Sequence, residues 1–339
     1  MCWWKGDMMH DTWRRAQDTS LVLITLLSAA APATAQVYRV AALNTEQIRT
    51  LDRARTVVVI PAGILEEHGP YLPSYTDGYG NERVAQSVAE AVAARPGWTA
   101  LVFPSIPLGT GGANEIGRKY VFPGTYTVRS TTLRSVFMDL GDELGAQGFR
   151  WIFVVHGHGA PNHNRMLDQA GDYFHDTYGG WMVHLAGLLP VSFASVSATA
   201  ADALREDGLG VHAGAVETSV MLFLLPGLVS PSVKEAGVHS GADWAALVRV
   251  ARAASWPGYL GSPRLATAAL GARIIQELAD TTVTYALKIL DGMDPRDIPR
   301  LGDVARDSPE NVAIDDDALQ HERQKLRKQE EWLTQKKLR

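Results

Sequence analysis

Trp151-Ile152-Phe153-Val154-Val155-His156-Gly157-His158-Gly159 runs from unbroken apolar residues straight into a polar turn spaced by glycine. A short run rich in β-branched and aromatic residues predicts a fully apolar, buried strand. Thr131 to Gln147 before it carries helical spacing closed by Gly148, and Asn162 to Tyr173 after it again looks helical. Thr56 to Ile60 is a β-branched run ending at Pro61, with helical spacing from Asn81 to Ala94. Thr99 to Phe103 reads as the next strand and Met182 to Leu185 as a weaker one. Glu217 to Leu225 reads as an apolar helix halted by Pro226, and Leu265 to Leu290 as one long helix. This alternation predicts an α/β layered fold with a largely parallel sheet.

The expected organisation is an export leader over residues 1–35, one domain over 37–303 and a charged helical tail over 304–339. Arg14 and Arg15 precede an apolar run from Leu21 to Ala31, and Ala33-Thr34-Ala35 supplies the small-residue pattern of a cleavage site before Gln36. The run is shorter than the roughly 20 residues of a spanning helix, so cleavage should leave no stable membrane insertion. A periplasmic or secreted chain would then carry no cysteine, because Cys2 is the only one. In the tail, Leu319, Leu326 and Leu333 recur every seventh residue, but the alternate heptad positions are polar. That predicts a solvated helix leaning on its own or a neighbouring subunit, not a coiled coil. A net charge of −5 across 339 residues gives no footprint for nucleic acid.

Ligands of open α/β sheets bind beyond the carboxyl ends of the strands, so polar residues just after strand-like runs carry most weight. Glu66 and His68 follow the first run and, two apart in extended backbone, project to one side where they can meet one cation; Glu67 should face away. Gly69, Pro70 and Pro73 force an irregular turn that can return Asp77, whose two oxygens can bridge two ions. In the second cluster His158 is the expected metal ligand, His156 a hydrogen-bond partner behind it, and His163 a residue of the helix surface. In the third, His212 and Glu217 flank the start of an apolar helix, where the bland alternative is capping by Thr218 or Ser219.

Taken together the clusters resemble the creatininase family. The resemblance spans Val57 to about Gly271 and rests on four motifs in order: Pro61-x-Gly63-x-x-Glu66-x-His68-Gly69-Pro70-x-Leu72-Pro73-x-x-Thr76-Asp77; Phe122-Pro123-Gly124-Thr125; Gly157-His158-Gly159; and His212-Ala213-Gly214-x-x-Glu217-Thr218-Ser219. It implies a three-layer α/β/α sandwich with a mostly parallel mixed sheet, assembled as a homo-oligomer, often a hexamer. It also implies a divalent metal cofactor, two ions of zinc, manganese or iron, with Glu66 and His158 on one, His68 on the other and Asp77 bridging. Where creatininase places a second carboxylate, this chain has Ala160, so one ion is weaker or absent, or Glu217 supplies the missing oxygen. Pro161, Gly159, Gly208, Leu209 and Lys119 also depart from the family pattern, which makes creatinine itself a poor substrate.

The expected activity is hydrolysis of a C–N bond in a small amide, cyclic or formyl. Glu217 would accept a proton from water if it is not a ligand, and His212 would protonate the departing nitrogen. Two alternatives stand beside it: an exported binding protein with a degraded site, motivated by Ala160 and Pro161, and a metallopeptidase that trims short peptides.

Overall fold

One sheet of five strands organises the chain: β1 (Gln36–Arg39), β2 (Thr56–Pro61), β3 (Thr99–Val102), β4 (Trp151–Val155) and β5 (Trp181–His184). Their spatial order is β1-β3-β2-β4-β5, and every ladder is parallel. The computed structural model describes residues 36–192 and 205–338. The expected leader therefore lies outside the described residues. The main described helices are α1 (Thr45–Arg49), α2 (Thr76–Ala93), α3 (Ser130–Ala146), α4 (Pro161–Tyr178), α5 (Ala215–Leu224), α6 (Trp244–Arg252), α7 (Ala268–Leu290) and α8 (Pro309–Gln335). None of the described helices is long and apolar enough to cross a membrane.

Alternation along β2 builds the three layers. Val57 and Val59 pack with Val84 and Val88 of α2 and Ile274 of α7, whereas Val58 and Ile60 pack with Phe137 of α3 and Phe174 of α4. Every residue of β2 is buried, as a parallel strand covered by helices on both faces requires. Each such aliphatic side chain contributes roughly 1.5–3 kcal/mol on burial, so the sandwich is held by its core and can carry a polar, strained site at its edge.

The strand order positions that site. From β2 the chain passes through α2 to β3 on one side, then through α3 to β4 on the other. The connections thus diverge between the carboxyl ends of β2 and β4, leaving the crevice where α/β sheets bind ligands. Asn81 ties its two lips together: its Nδ2 donates to the carbonyls of Ala62 (2.9 Å) and Gly157 (3.2 Å), and its Oδ1 accepts from Gly157 N–H (3.0 Å).

The elements follow the sequence reading closely, with three informative differences. Helix α2 starts at Thr76, so Asp77 stands in its first turn and is returned by a helix start instead of an irregular turn. That start presses on the preceding loop: a Cβ on Gly63 would lie 2.5 Å from Gly78 Cα, which keeps Asp77 close to Glu66 and His68. Strand β1 was not anticipated. Finally, α8 begins at Pro309, capped by Ser308, and buries only Asp315 and Ala318.

Candidate metal centre

Three separated stretches supply the site. The loop after β2 brings Glu66 and His68, the first turn of α2 brings Asp77, the loop after β4 brings His158, and the start of α5 brings His212 and Glu217. The turn into α5 is strained: Ala213 has φ of 49°, a left-handed conformation that costs a non-glycine residue free energy. It places His212 on one side and lets the Glu217 carboxylate fold back to accept the Ala213 N–H. Asp207, accepting from Ala215 N–H at 3.0 Å, takes the capping role that the alternative reading gave to Thr218 or Ser219.

Asp77 is common to two groups of potential ligands. Its Oδ1 lies 3.1 Å from His68 Nε2, and its Oδ2 lies 3.1 Å from His158 Nδ1. Glu66 Oε2 is 3.3 Å from His158 Nδ1, and Glu217 Oε2 is 3.8 Å from His68 Nε2. Within each of the groups Glu66–Asp77–His158 and His68–Asp77–Glu217, one ligand atom per residue lies within 4.8 Å of the others; Glu66, His68 and His212 form a third such group.

Hydrogen bonds fix which nitrogens face inward. A carbonyl can only accept, so His68 Nδ1–H donates to Glu66 O (3.1 Å) and His158 Nε2–H donates to Gly111 O (2.9 Å). The remaining nitrogen of each ring is aimed at carboxylate oxygens. Two lone pairs cannot face each other at 3.1 Å without a positive charge between them, and either a proton or a metal ion supplies it. Outward N–H donation to a carbonyl is also the usual arrangement of a metal-ligating histidine. The buried Glu66 Oε2 has no hydrogen-bond partner, an oxygen that a cation would satisfy. On these observations the residues fit a divalent metal.

The electrostatics have the same origin. Burial raises the Glu66 carboxyl well above its ordinary range, assisted by repulsion from Glu67 and Asp77. Burial likewise pushes Glu217 up to about 7. Asp77 goes the other way: burial opposes its charge, but hydrogen bonds from His158 and His68 hold it far below the usual carboxylate range. His68 is pushed up to about 10, because its Asp77 hydrogen bond and the nearby Glu217 and Glu66 outweigh burial. His158 is raised by the same Asp77 contact against burial. His212 is driven well below its ordinary value, first by burial and then by the charge of His68.

Three side chains depart from expectation. Glu67, expected to face away, is only 3% exposed, accepts from Thr125 Oγ1 at 2.8 Å and is close enough to repel the Glu66 carboxylate. Its backbone carbonyl takes the His212 Nε2–H at 2.6 Å. His163 is fully buried, not on a helix surface: the inward face of α4 packs its ring edge-on to His156 and His158, with Nδ1 accepting from Thr110 N–H. His156, expected as a hydrogen-bond partner behind His158, instead donates its Nε2–H to Leu108 O at 2.8 Å, and its Nδ1 has no hydrogen-bond partner. Gly111 and Ala113, whose N–H reaches Glu66 Oε1, escaped the sequence reading; the Gly109-Thr-Gly-Gly112 run after β3 was the available signal. The site opens into a cavity of about 430 Å³.

Residues 41–286 match the creatininase family, described as creatinine amidohydrolase. A mycofactocin precursor peptide peptidase of Mycobacterium ulcerans strain Agy99 is 31% identical over 251 residues, 70% of this chain and 87% of the relative. A crystal structure of creatinine amidohydrolase superposes with a TM-score of 0.58 at 22% identity, covering 75% of this chain and 98% of the other. A mutant creatininase of Zn-Zn type superposes with a TM-score of 0.56 at 23% identity, covering 73% and 96%.

Proposed function

The chain belongs to the creatininase family, and from that premise we propose that it is a metal-dependent hydrolase of an amide C–N bond. The observation that carries this reading is the position of Asp77, each oxygen 3.1 Å from a histidine nitrogen whose ring is oriented by a backbone carbonyl. Glu66, Asp77 and His158 would hold one divalent ion, and His68, Asp77 and Glu217 the other. Zinc is the first candidate, as in the Zn-Zn type neighbour; manganese and iron are the alternatives.

A bound ion pair supplies a Lewis acid for the amide carbonyl and lowers the pKa of water towards neutrality. The chain's own residues do the rest. His212 has its Nε2–H committed to Glu67 O, and burial with the charge of His68 keeps the ring neutral at rest, so Nδ1 is the free nitrogen that can take a proton from water and pass it straight on. The departing nitrogen needs that proton, since an amine leaves badly as an anion. Glu217 is held by Ala213 N–H and aimed at His68, which suits a ligand better than a free base. Its carboxylate makes up for the one absent at Ala160, and this argues against the degraded-site alternative.

A second reading, that the amide belongs to a short peptide, is favoured by the cavity of about 430 Å³ and by the peptide peptidase relative. We also place the mature chain outside the cytoplasm, behind the leader of residues 1–35. The test is metal analysis of the purified chain together with amine release from lactams, formamides and short peptides. Bound transition metal and chelator-sensitive release of amine, restored by zinc or manganese, are expected. Less than one tight ion per chain, with no activity regained, would overturn the reading.

A further inference from the structure

Helix α8 lies beyond the family-matched region, which ends at residue 286. It is mostly polar, and the only residues it buries are Asp315 and Ala318, adjacent turns of one face. A helix that serves the core buries an apolar stripe along its length; this one buries a single patch. That patch borders the cavity shared with Glu66, Asp77 and His158, where Ile314, Asp315, Ala318 and Glu322 form part of the lining.

The same stretch of α8 carries its fastenings. Glu322 Oε1 accepts from Ser130 N–H at 2.7 Å and from Thr110 Oγ1 at 3.1 Å, and its Oε2 accepts from Ser130 Oγ at 2.7 Å. Arg118 pairs with Asp317, and His321 stacks on Tyr120 with centroids 4.4 Å apart. Thr110 is next to Gly111, whose carbonyl orients His158. The fastenings therefore hold the helix against the loop that sets a metal-facing imidazole.

We infer that α8 is the wall that selects substrates by length, with Ala318 as its contact surface and Glu322 as its latch. The inference deepens the hydrolase reading and rests on it for its kinetic arm. A substrate extending away from the metal-facing residues meets Ala318, so bulk at that position penalises long substrates more than short ones. Glu322 acts through Thr110 and Ser130 and is a positioning residue.

The experiment uses the full chain carrying Cys2→Ser, compared at matched circular dichroism, with N-acetyl peptide p-nitroanilides of increasing length as probes. Ala318→Trp is expected to lower kcat/KM for the longest anilide relative to the shortest by about tenfold. An equal change across the series overturns the assignment. A second arm needs no turnover: Ala318→Cys then carries the sole thiol, and its reaction with a bulky maleimide reports release of the wall. Adding Glu322→Ala is expected to speed labelling by about tenfold, because a latch bound by several hydrogen bonds is lost. Glu322→Gln, which keeps the oxygen that accepts from Ser130 and Thr110, should fall between. Identical labelling rates in all three overturn the latch. If the parent chain cleaves no anilide, the hydrolase reading is decided separately by metal content and by amine release from lactams and formamides, and the labelling arm decides the wall.

Discussion

Asp77 Oδ1 lies 3.1 Å from His68 Nε2, while the other nitrogen of His68 is already spent on the carbonyl of Glu66. The ring cannot turn to relieve the contact without abandoning that hydrogen bond in a fully buried place. A positive charge is thus built into the requirements of this corner, and the consequences can be measured.

Asp77→Asn removes the negative charge shared by both groups while preserving size. Metal affinity is expected to fall by more than the roughly 10–100-fold typical of losing an outer hydrogen-bond partner, with amide hydrolysis falling in step. Metal content by mass spectrometry after gel filtration checks this; retention of the full complement would exclude Asp77 as a shared ligand.

Below pH 6.5 the buried His156, His163 and His212, lowered foremost by burial, favour the fold as pH rises and oppose the carboxyls, so the metal-free chain should lose stability as pH rises above 6.5. Glu67 and Glu217 are raised from 4.5 to about 7, both foremost by burial, so the stability they contribute is complete below 4.5 and is lost as pH climbs through 7. His68 is raised from 6.5 to about 10, so its contribution is complete below 6.5 and disappears towards 10. Metal replaces the protons, so metal affinity should rise with pH. Thermal midpoints of chelated and zinc-loaded protein across this range test the sign; a chelated protein that gains stability from pH 6.5 to 10 would contradict it.

Asn81→Ala cuts the tie between the loops after β2 and β4. Ala62 O, Gly157 O and Gly157 N–H lose their partner, and each buried group left unpaired costs about 1–3 kcal/mol. A lower denaturation midpoint is expected together with weaker metal binding, since His158 is next to Gly157. A stability loss with unchanged metal affinity would show that the clamp serves the fold alone.

Gly271→Ala tests how the helix layer places Glu217. A Cβ at Gly271 would lie 1.9 Å from the carbonyl oxygen of Ser219 in α5. Helix α7 must then move off α5, at a cost of about 1–3 kcal/mol for overpacking. Denaturant titration and metal titration should both shift, because α5 carries Glu217; a neutral result in both would mean that the packing relaxes elsewhere.

Much of this was legible in the residues. The apolar runs at Thr56 and Trp151 announced buried parallel strands, and Gly148 and Pro226 marked helix ends, because such local signals act within a few positions of where they stand. Glu66, His68, Asp77 and His158 could be named because polar residues just beyond strand ends face the crevice, whereas His212 and Glu217, at the start of an apolar helix, carried weight only beside those clusters. The motifs resembling the creatininase family joined them into one set.

Other features depended on which distant segments meet. Glu67 was expected to face away from Glu66, but only the fold puts Thr125 and His212 beside it, so that it is buried instead of solvated. His163 looked like a surface residue because helical spacing gives no hint of which face a neighbouring loop will cover. The approach of Asp77 to two histidines, the return of Glu217 towards His68, and the seating of α8 on the cavity all follow from strand order and layer packing. The local code of the sequence determined the elements and the chemistry each strand end offers. Tertiary structure alone decided which of those groups share a charge, since that depends on contacts between residues far apart in the chain.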